Sequence, residues 1–341
     1  MNILNSYKTL FVILSLLFLV ILGLNLSFGS VHIPFLDIVS ILFKNSNTNE
    51  NWHLIITEYR IPKAITAILG GSALAVSGLL MQTLFRNPLA DPYILGISSG
   101  ASLGIAVLIL LISFGGFTGL LISNWSFVLA ASVGSFVVML LILTLASNLK
   151  NTMSILIIGL MFGSFASAFI NVLAYFSSAE QLQQYIAWSF GSLGNHSYTE
   201  LLIYGAVYVI TIIPILWLIK PLNSLLLGEN YAQSLGVNIK KTRFYLLLIT
   251  SLLTGLVTAF SGPIAFVGLA VPHLTKLFLK TSNHLILLPA VLINGAILLL
   301  ISDTIAQLPH SEFTLPINAI TSIFGAPVVI WLIIRRKKIR L

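Results

Sequence analysis

Ten runs of mostly apolar residues leave this chain few ways to fold. They cover residues 10–28, 61–83, 93–113, 121–146, 153–175, 199–219, 244–261, 263–280, 284–304 and 316–334. A helix needs about 20 such residues to cross roughly 30 Å of hydrocarbon, so each run reads as a membrane span. The boundary between the seventh and eighth is set by Gly262 and Pro263. Composition supports the reading, with 57% hydrophobic and only 8% charged residues, where soluble domains carry about a quarter charged. The longest polar gaps, 31–58 and 221–243, leave no room for a soluble domain, so residues 1–341 are expected to form a single transmembrane domain. The first run follows Lys8 but is longer than a signal-peptide core and lacks a small-x-small cleavage site, so it reads as a retained helix.

Charge gives the orientation. Ten crossings put both termini on one side of the membrane. With the termini cytoplasmic, all of the 17 Lys and Arg residues except Lys44, Arg60 and Lys63 fall in inside loops, as the excess of basic residues in cytoplasmic loops requires. The net charge of +8 therefore has a membrane cause and does not imply nucleic acid. Cysteine is absent, which removes disulfides, thiolate metal sites and thiol nucleophiles.

Two stretches repeat each other at an offset of 184 residues: Thr66, Leu69, Gly71, Ala75, Ser77, Gly78 and Pro88 align with Thr250, Leu253, Gly255, Ala259, Ser261, Gly262 and Pro272. One copy lies on the second span and the other on the seventh, which run in opposite directions. Spans 2–5 and 7–10 are thus expected to be inverted copies, an arrangement found in transporters. Chemistry for catalysis is missing. Asp303 is the one acid within a span, where it can line a pathway, cap a helix end or face the wet interface. Of the six histidines, His32, His53, His196 and His310 fall in outside loops, His284 in an inside loop, and His273 near a span. No HExxH and no G-x-x-x-x-G-K-[ST] phosphate loop occurs, so any ATP that drives transport is hydrolysed by another chain.

The stretch from Asn87-Pro88-Leu89-Ala90-Asp91-Pro92 through Gly96 to Ala101 resembles the signature loop of FecCD-type permeases. The resemblance extends to Arg60-Ile61-Pro62-Lys63, Trp188 with Gly191-Ser192-Leu193-Gly194, the run from Ser261-Gly262-Pro263 to Pro272-His273, and Gly325-Ala326-Pro327. These motifs keep the family's order from about residue 55 to 334. The family comprises membrane subunits of ATP-binding-cassette importers for ferric siderophores, haem and cobalamin. The resemblance implies a non-enzymatic permease in the bacterial cytoplasmic membrane, paired with a second permease copy and two cytoplasmic ATPase subunits that hold ATP and Mg. It also implies an external substrate-binding protein, no cofactor on this chain, and a pathway bordered by the fifth and tenth spans. A secondary transporter is the alternative, since inverted repeats occur there too.

Three groups of residues carry the functional expectations. Gly70, Gly71, Gly78, Gly96, Gly100 and Gly104 allow close helix approach, while Pro88, Pro92 and Pro272 are expected to break helices near the pathway. In the inside loop, Gly228, Glu229, Ala232, Leu235 and Gly236 resemble the family's coupling segment. Ala232 and Leu235 are expected on one helical face, Glu229 near a helix start and Gly236 at its end; a plain connecting loop is the alternative. Outside, Arg60 and Lys63 stand one turn apart and resemble the basic residues that receive acidic groups of a binding protein; anchoring at the membrane interface is the alternative. A further docking Arg of the family is replaced by Gln307.

Overall fold

A computed structural model describes residues 3–43, 49–114, 124–149, 152–194, 196–307 and 313–337. Lys44, Lys150, His310 and Lys338 lie outside the described residues. The described chain is all helical. Its elements are α1 (Ile3–Ser27), α2 (Phe35–Leu42), α3 (Glu50–Leu54), a π-helical turn (Ile55–Arg60), α4 (Ile61–Leu84), a 3-10 turn (Pro92–Leu95), α5 (Ile97–Phe114) and α6 (Asn124–Asn148). They continue with α7 (Thr152–Tyr175), α8 (Ala179–Ser189), α9 (Tyr198–Ile212), α10 (Ile215–Leu225), α11 (Glu229–Ser234), α12 (Ile239–Ser261), α13 (Val267–Leu279), α14 (His284–Ala306) and α15 (Ile317–Lys337).

Length and composition qualify six helical stretches to cross a membrane, among them Tyr7–Ser27 in α1 and the continuous Glu50–Leu84 through α4. A seventh candidate is the pair α9 and α10, bent by 46° where Ile213 and Pro214 interrupt the helix. Three of the ten expected spans fall on shorter apolar helices, Ile97–Ile109, Val267–Leu279 and Ile317–Trp331. The expected polar gap at 31–58 instead contains α2, α3 and the π-helical turn.

Local sequence accounts for the helix starts. Asn238 accepts a hydrogen bond from the Lys241 N–H at 3.0 Å, and Asn283 accepts one from Leu285 at 3.0 Å, opening α12 and α14. Ser178 and Gln181 cap α8 reciprocally. Each cap satisfies a donor that has no partner within its helix.

The chain forms two compact units, each assembled from separate segments: Met1–Val76, Ser192–Ala206 and Ile264–Leu341 in one, Ser77–Gly191 and Val207–Pro263 in the other. Two crossings between units, after Val76 and after Pro263, fall beside the repeated Ser77-Gly78 and Ser261-Gly262. The copies differ locally there: α4 continues past Gly78 to Leu84, whereas α12 ends at Ser261 with Gly262 at φ +71°.

Within the first unit α4 and α14 touch through backbone, since a methyl group on Gly71 would lie 2.2 Å from the Gly295 carbonyl oxygen. In the second, α5 and α6 meet the same way, with a methyl on Gly104 lying 2.2 Å from the Ala130 carbonyl oxygen. Lipid offers helices no hydrophobic drive to associate, so such close approach supplies the packing.

Candidate functional site

The N-terminal end of α4 is organised around two buried groups. Arg60, 6% exposed, ends the π-helical turn. Its guanidinium donates to the carbonyls of Leu26 at 2.6 Å and Ser27 at 2.9 Å, and also to that of Val31. These carbonyls belong to the end of α1 and the segment after it, where helix groups lack intrahelical partners. Lys63 pairs with Asp303 at 2.9 Å. Asp303 is 1% exposed and also accepts hydrogen bonds from Asn25 at 2.9 Å and Gln307 at 2.7 Å. The acid expected at a pathway, a cap or a wet interface is instead an internal counterion, and Arg60 does not present a free charge at the surface. Lys63, its side chain 23% exposed, is the member of the pair that reaches outward. Asn25 escapes sequence reasoning because an amide on an apolar helix gives no signal of its partner in α14.

The signature loop is a chain of tight turns in the second unit. Asn87 accepts from the Leu89 N–H at 3.0 Å, and Asp91 accepts from Tyr93 at 2.8 Å, opening the 3-10 turn with Pro92 at its first position. Gly96 closes it at φ +75°. The turn packs on α7 so tightly that a methyl on Gly159 would sit 2.3 Å from the Ile94 carbonyl oxygen. Burial pushes the Asp91 carboxyl up to about 6, with the Tyr93 N–H pulling the other way. Pro88 lies in the loop beyond α4, as expected of a breaker.

The second signature run is split by the chain's passage between units. Gly262 fits against Trp188 and Gly191, where a methyl would lie 2.8 Å from the Trp188 carbonyl oxygen. After Pro263, the Ala265 N–H donates to Asn318 at 3.2 Å, and α13 begins. Pro272 corrects the expectation of a break: it lies inside α13 without ending it, as does half-buried His273. A proline there removes one hydrogen bond of the helix, which protein burial tolerates.

The expected coupling segment forms a capped turn of helix. Gly228 precedes it at φ +112°, Glu229 stands in its first turn, and Gly236 ends it at φ +84°. Gly236 N–H donates to Gln233 at 2.9 Å and Val237 N–H to Ala232 at 3.0 Å, the paired bonds of a Schellman end. Arg243, on α12, fixes the segment by donating to Glu229 at 3.1 Å and to the Leu149 carbonyl at 2.9 Å. One expectation is corrected. Ala232 is fully buried whereas Leu235 is 57% exposed, so the two do not share a face. Leu235 instead lies in line with exposed Tyr231, four residues before it, and Leu227 in the turn ahead of α11 is exposed as well. Open grooves of about 780 and 720 Å³ flank α11. Sequence reading missed Arg243 as a support, although an acid and a base on either side of a Gly-ended turn could have suggested it.

These features define an all-helical, polytopic membrane protein in which the buried acid Asp303 is paired with Lys63 and several connecting turns are capped by side chains or glycines. Residues 16–335 match the FecCD transport family, and the chain belongs to that family. It is 38% identical over 325 residues to the hemin transport system permease protein HmuU of Yersinia pestis, across 95% of this chain and 96% of that protein. It is 36% identical over 286 residues to the vitamin B12 import system permease protein BtuC of Salmonella typhi, covering 83% of this chain and 84% of that protein. Among solved structures, it is similar to a transporter described as of metal-chelate ABC type in an inward-facing conformation. That match has a TM-score of 0.83 and 28% identity over 96% of this chain and 99% of the other. A likeness in fold alone extends to PsaBC of Streptococcus pneumoniae, with TM-score 0.54 and 16% identity over 85% of this chain and 93% of that one.

Proposed function

We propose that this chain is the permease subunit of an ATP-binding-cassette importer for a haem-, cobalamin- or ferric-siderophore-type substrate. The observation that carries the reading is the near end-to-end similarity to a hemin permease, at 38% identity over 95% of the chain. In this reading α5, α13 and α15 complete ten crossings of one permease domain in the bacterial cytoplasmic membrane, with both termini cytoplasmic and spans 2–5 and 7–10 as inverted copies. A second permease copy pairs with it, two ATPase subunits hold ATP and Mg, and an external binding protein delivers substrate.

The segment Gly228–Gly236 receives the ATPase through Tyr231 and Leu235, with Ala232 and Glu229 seating it from behind. Asn87, Pro88, Asp91, Pro92, Gly96, Gly262, Pro263, Pro272 and His273 shape the walls near the pathway. Lys63 meets an acidic group of the binding protein, and Arg60 holds the turn beneath it. A secondary carrier is disfavoured because Asp303, the acid such a carrier would draw on, is engaged by Lys63, Asn25 and Gln307.

Reconstitution with a partner ATPase and binding protein tests the proposal. ATP-dependent uptake of one of the three substrate types is expected in proteoliposomes. Uptake driven by an ion gradient without the ATPase would overturn it.

A further inference from the structure

Between α1 and the π-helical turn, α2 carries an apolar face that its own unit leaves largely uncovered. Phe35, Leu36, Leu42 and Phe43 are all exposed, Leu36 at 79% and Phe43 at 83%, and half-buried Val39 lies among them on the helical wheel. Ile38 and Ile41 point the other way and are buried. Asp37 and Ser40 occupy the remaining arc, so the helix is divided cleanly into apolar, buried and polar sides.

The position of α2 says what covers that face. Phe35 packs against α1 at Gly23, where an added methyl would lie 3.0 Å from the ring. Gly23 is four residues inside the end of α1, or about 6 Å below it at the rise of an α-helix. The start of α2 is therefore level with the last turn of a candidate membrane span. On the same span Val12, Leu16, Leu19, Val20 and Leu24 are exposed along much of its length, an apolar surface that suits hydrocarbon.

The connection is also held firmly. Arg60 binds the carbonyls of Leu26, Ser27 and Val31, Ser27 Oγ donates to the Ile33 carbonyl at 2.6 Å, and Ile33 is fully buried. A helix fixed at this depth, apolar on one side and polar on another, fits the boundary between headgroups and acyl chains, where such helices lie about 5–10 Å deep.

We infer that α2 is an in-plane membrane anchor whose Phe35–Leu36–Val39–Leu42–Phe43 face lies in the lipid interface, set at its angle by the Arg60 clamp. The inference requires only that α1 crosses the membrane, and is independent of what the protein transports.

The absence of native cysteine makes the test direct. Nitroxides would be attached at single cysteines replacing Leu36, Val39 and Phe43, and, on the polar side, Asp37 and Ser40, in the full chain reconstituted in liposomes. The ratio of collisions with oxygen to collisions with a water-soluble nickel chelate is expected to be several-fold higher at 36, 39 and 43 than at 37 and 40. Bimane at the same positions should be quenched by lipids brominated near the headgroup, a second reading that does not depend on the nitroxide. Frequent nickel collisions at 36 and 43 would place the face in water and overturn the inference. Exclusion of both reagents would mean that protein, a second copy or an external partner, covers it, and would overturn it equally.

Discussion

Arg60 and Tyr231 both belong to short helical segments that connect longer ones, yet their surroundings are opposite. Around Arg60 the polar groups are paired within the protein: a guanidinium on three carbonyls, and beside it the partly exposed Lys63 ammonium on a buried carboxylate. Around Tyr231 the polar groups lie behind the segment, in the Glu229–Arg243 pair, and apolar side chains are left outside. The first arrangement makes a rigid join between helices. The second leaves apolar side chains exposed on a capped turn. Basic residues at a span end are thus a poor guide to free surface charge until their carbonyl and carboxylate partners are known.

Substitutions can break this contrast. The largest effect is expected at Arg60. Arg60→Ala leaves three carbonyls short of donors and should cost about 3 kcal/mol of stability, read as a lower thermal midpoint in detergent. An unchanged midpoint with slower capture of the binding protein would return Arg60 to the surface.

Next comes the buried Asp91 carboxyl. Its value of about 6 lies above the usual 3.8. Burial of the charged form therefore costs nothing below pH about 4, and the cost grows as pH rises towards 6 and then levels off. Asp91→Asn can keep the cap to Tyr93 and should stabilise the protein by about 3 kcal/mol at pH 7 with no gain at pH 4. A gain equal at both pH values would place the cause elsewhere.

A smaller effect is expected at Gly236, whose φ of +84° disfavours any side chain although an added methyl would meet nothing within 4 Å. Gly236→Ala should lower stability by about 1 kcal/mol, while a bulky residue there should leave the fold intact and uncouple ATP hydrolysis from uptake. Normal uptake with the bulky residue would remove the segment from the mechanism.

Much of this was legible in the residues. Apolar runs set the helical class, and the ordered Gly and Pro motifs set the family. Gly236 as a helix end and Glu229 as a helix start followed from local rules alone. What was not legible depended on distant pairing. Asp303 looks like a lone acid in sequence, and only the approach of α1 and α4 to α14 gives it Asn25 and Lys63. Ala232 and Leu235 look like one face at a spacing of three, but the helix ends at Ser234, and Leu235 falls in line with Tyr231. Likewise α2 is too short to register as a span and falls within a polar gap, because six apolar residues among eight do not announce whether water or lipid covers them.

Under the proposed function, Tyr231 and Leu235 at α11 form the surface that receives the ATPase. Binding of the purified ATPase to the permease in nanodiscs tests it most directly. Tyr231→Ala with Leu235→Ala should weaken that binding by about tenfold, equivalent to ~1.4 kcal/mol, while leaving the thermal midpoint unchanged because both side chains are already exposed. Full ATPase affinity and normal uptake in the double variant would contradict the account.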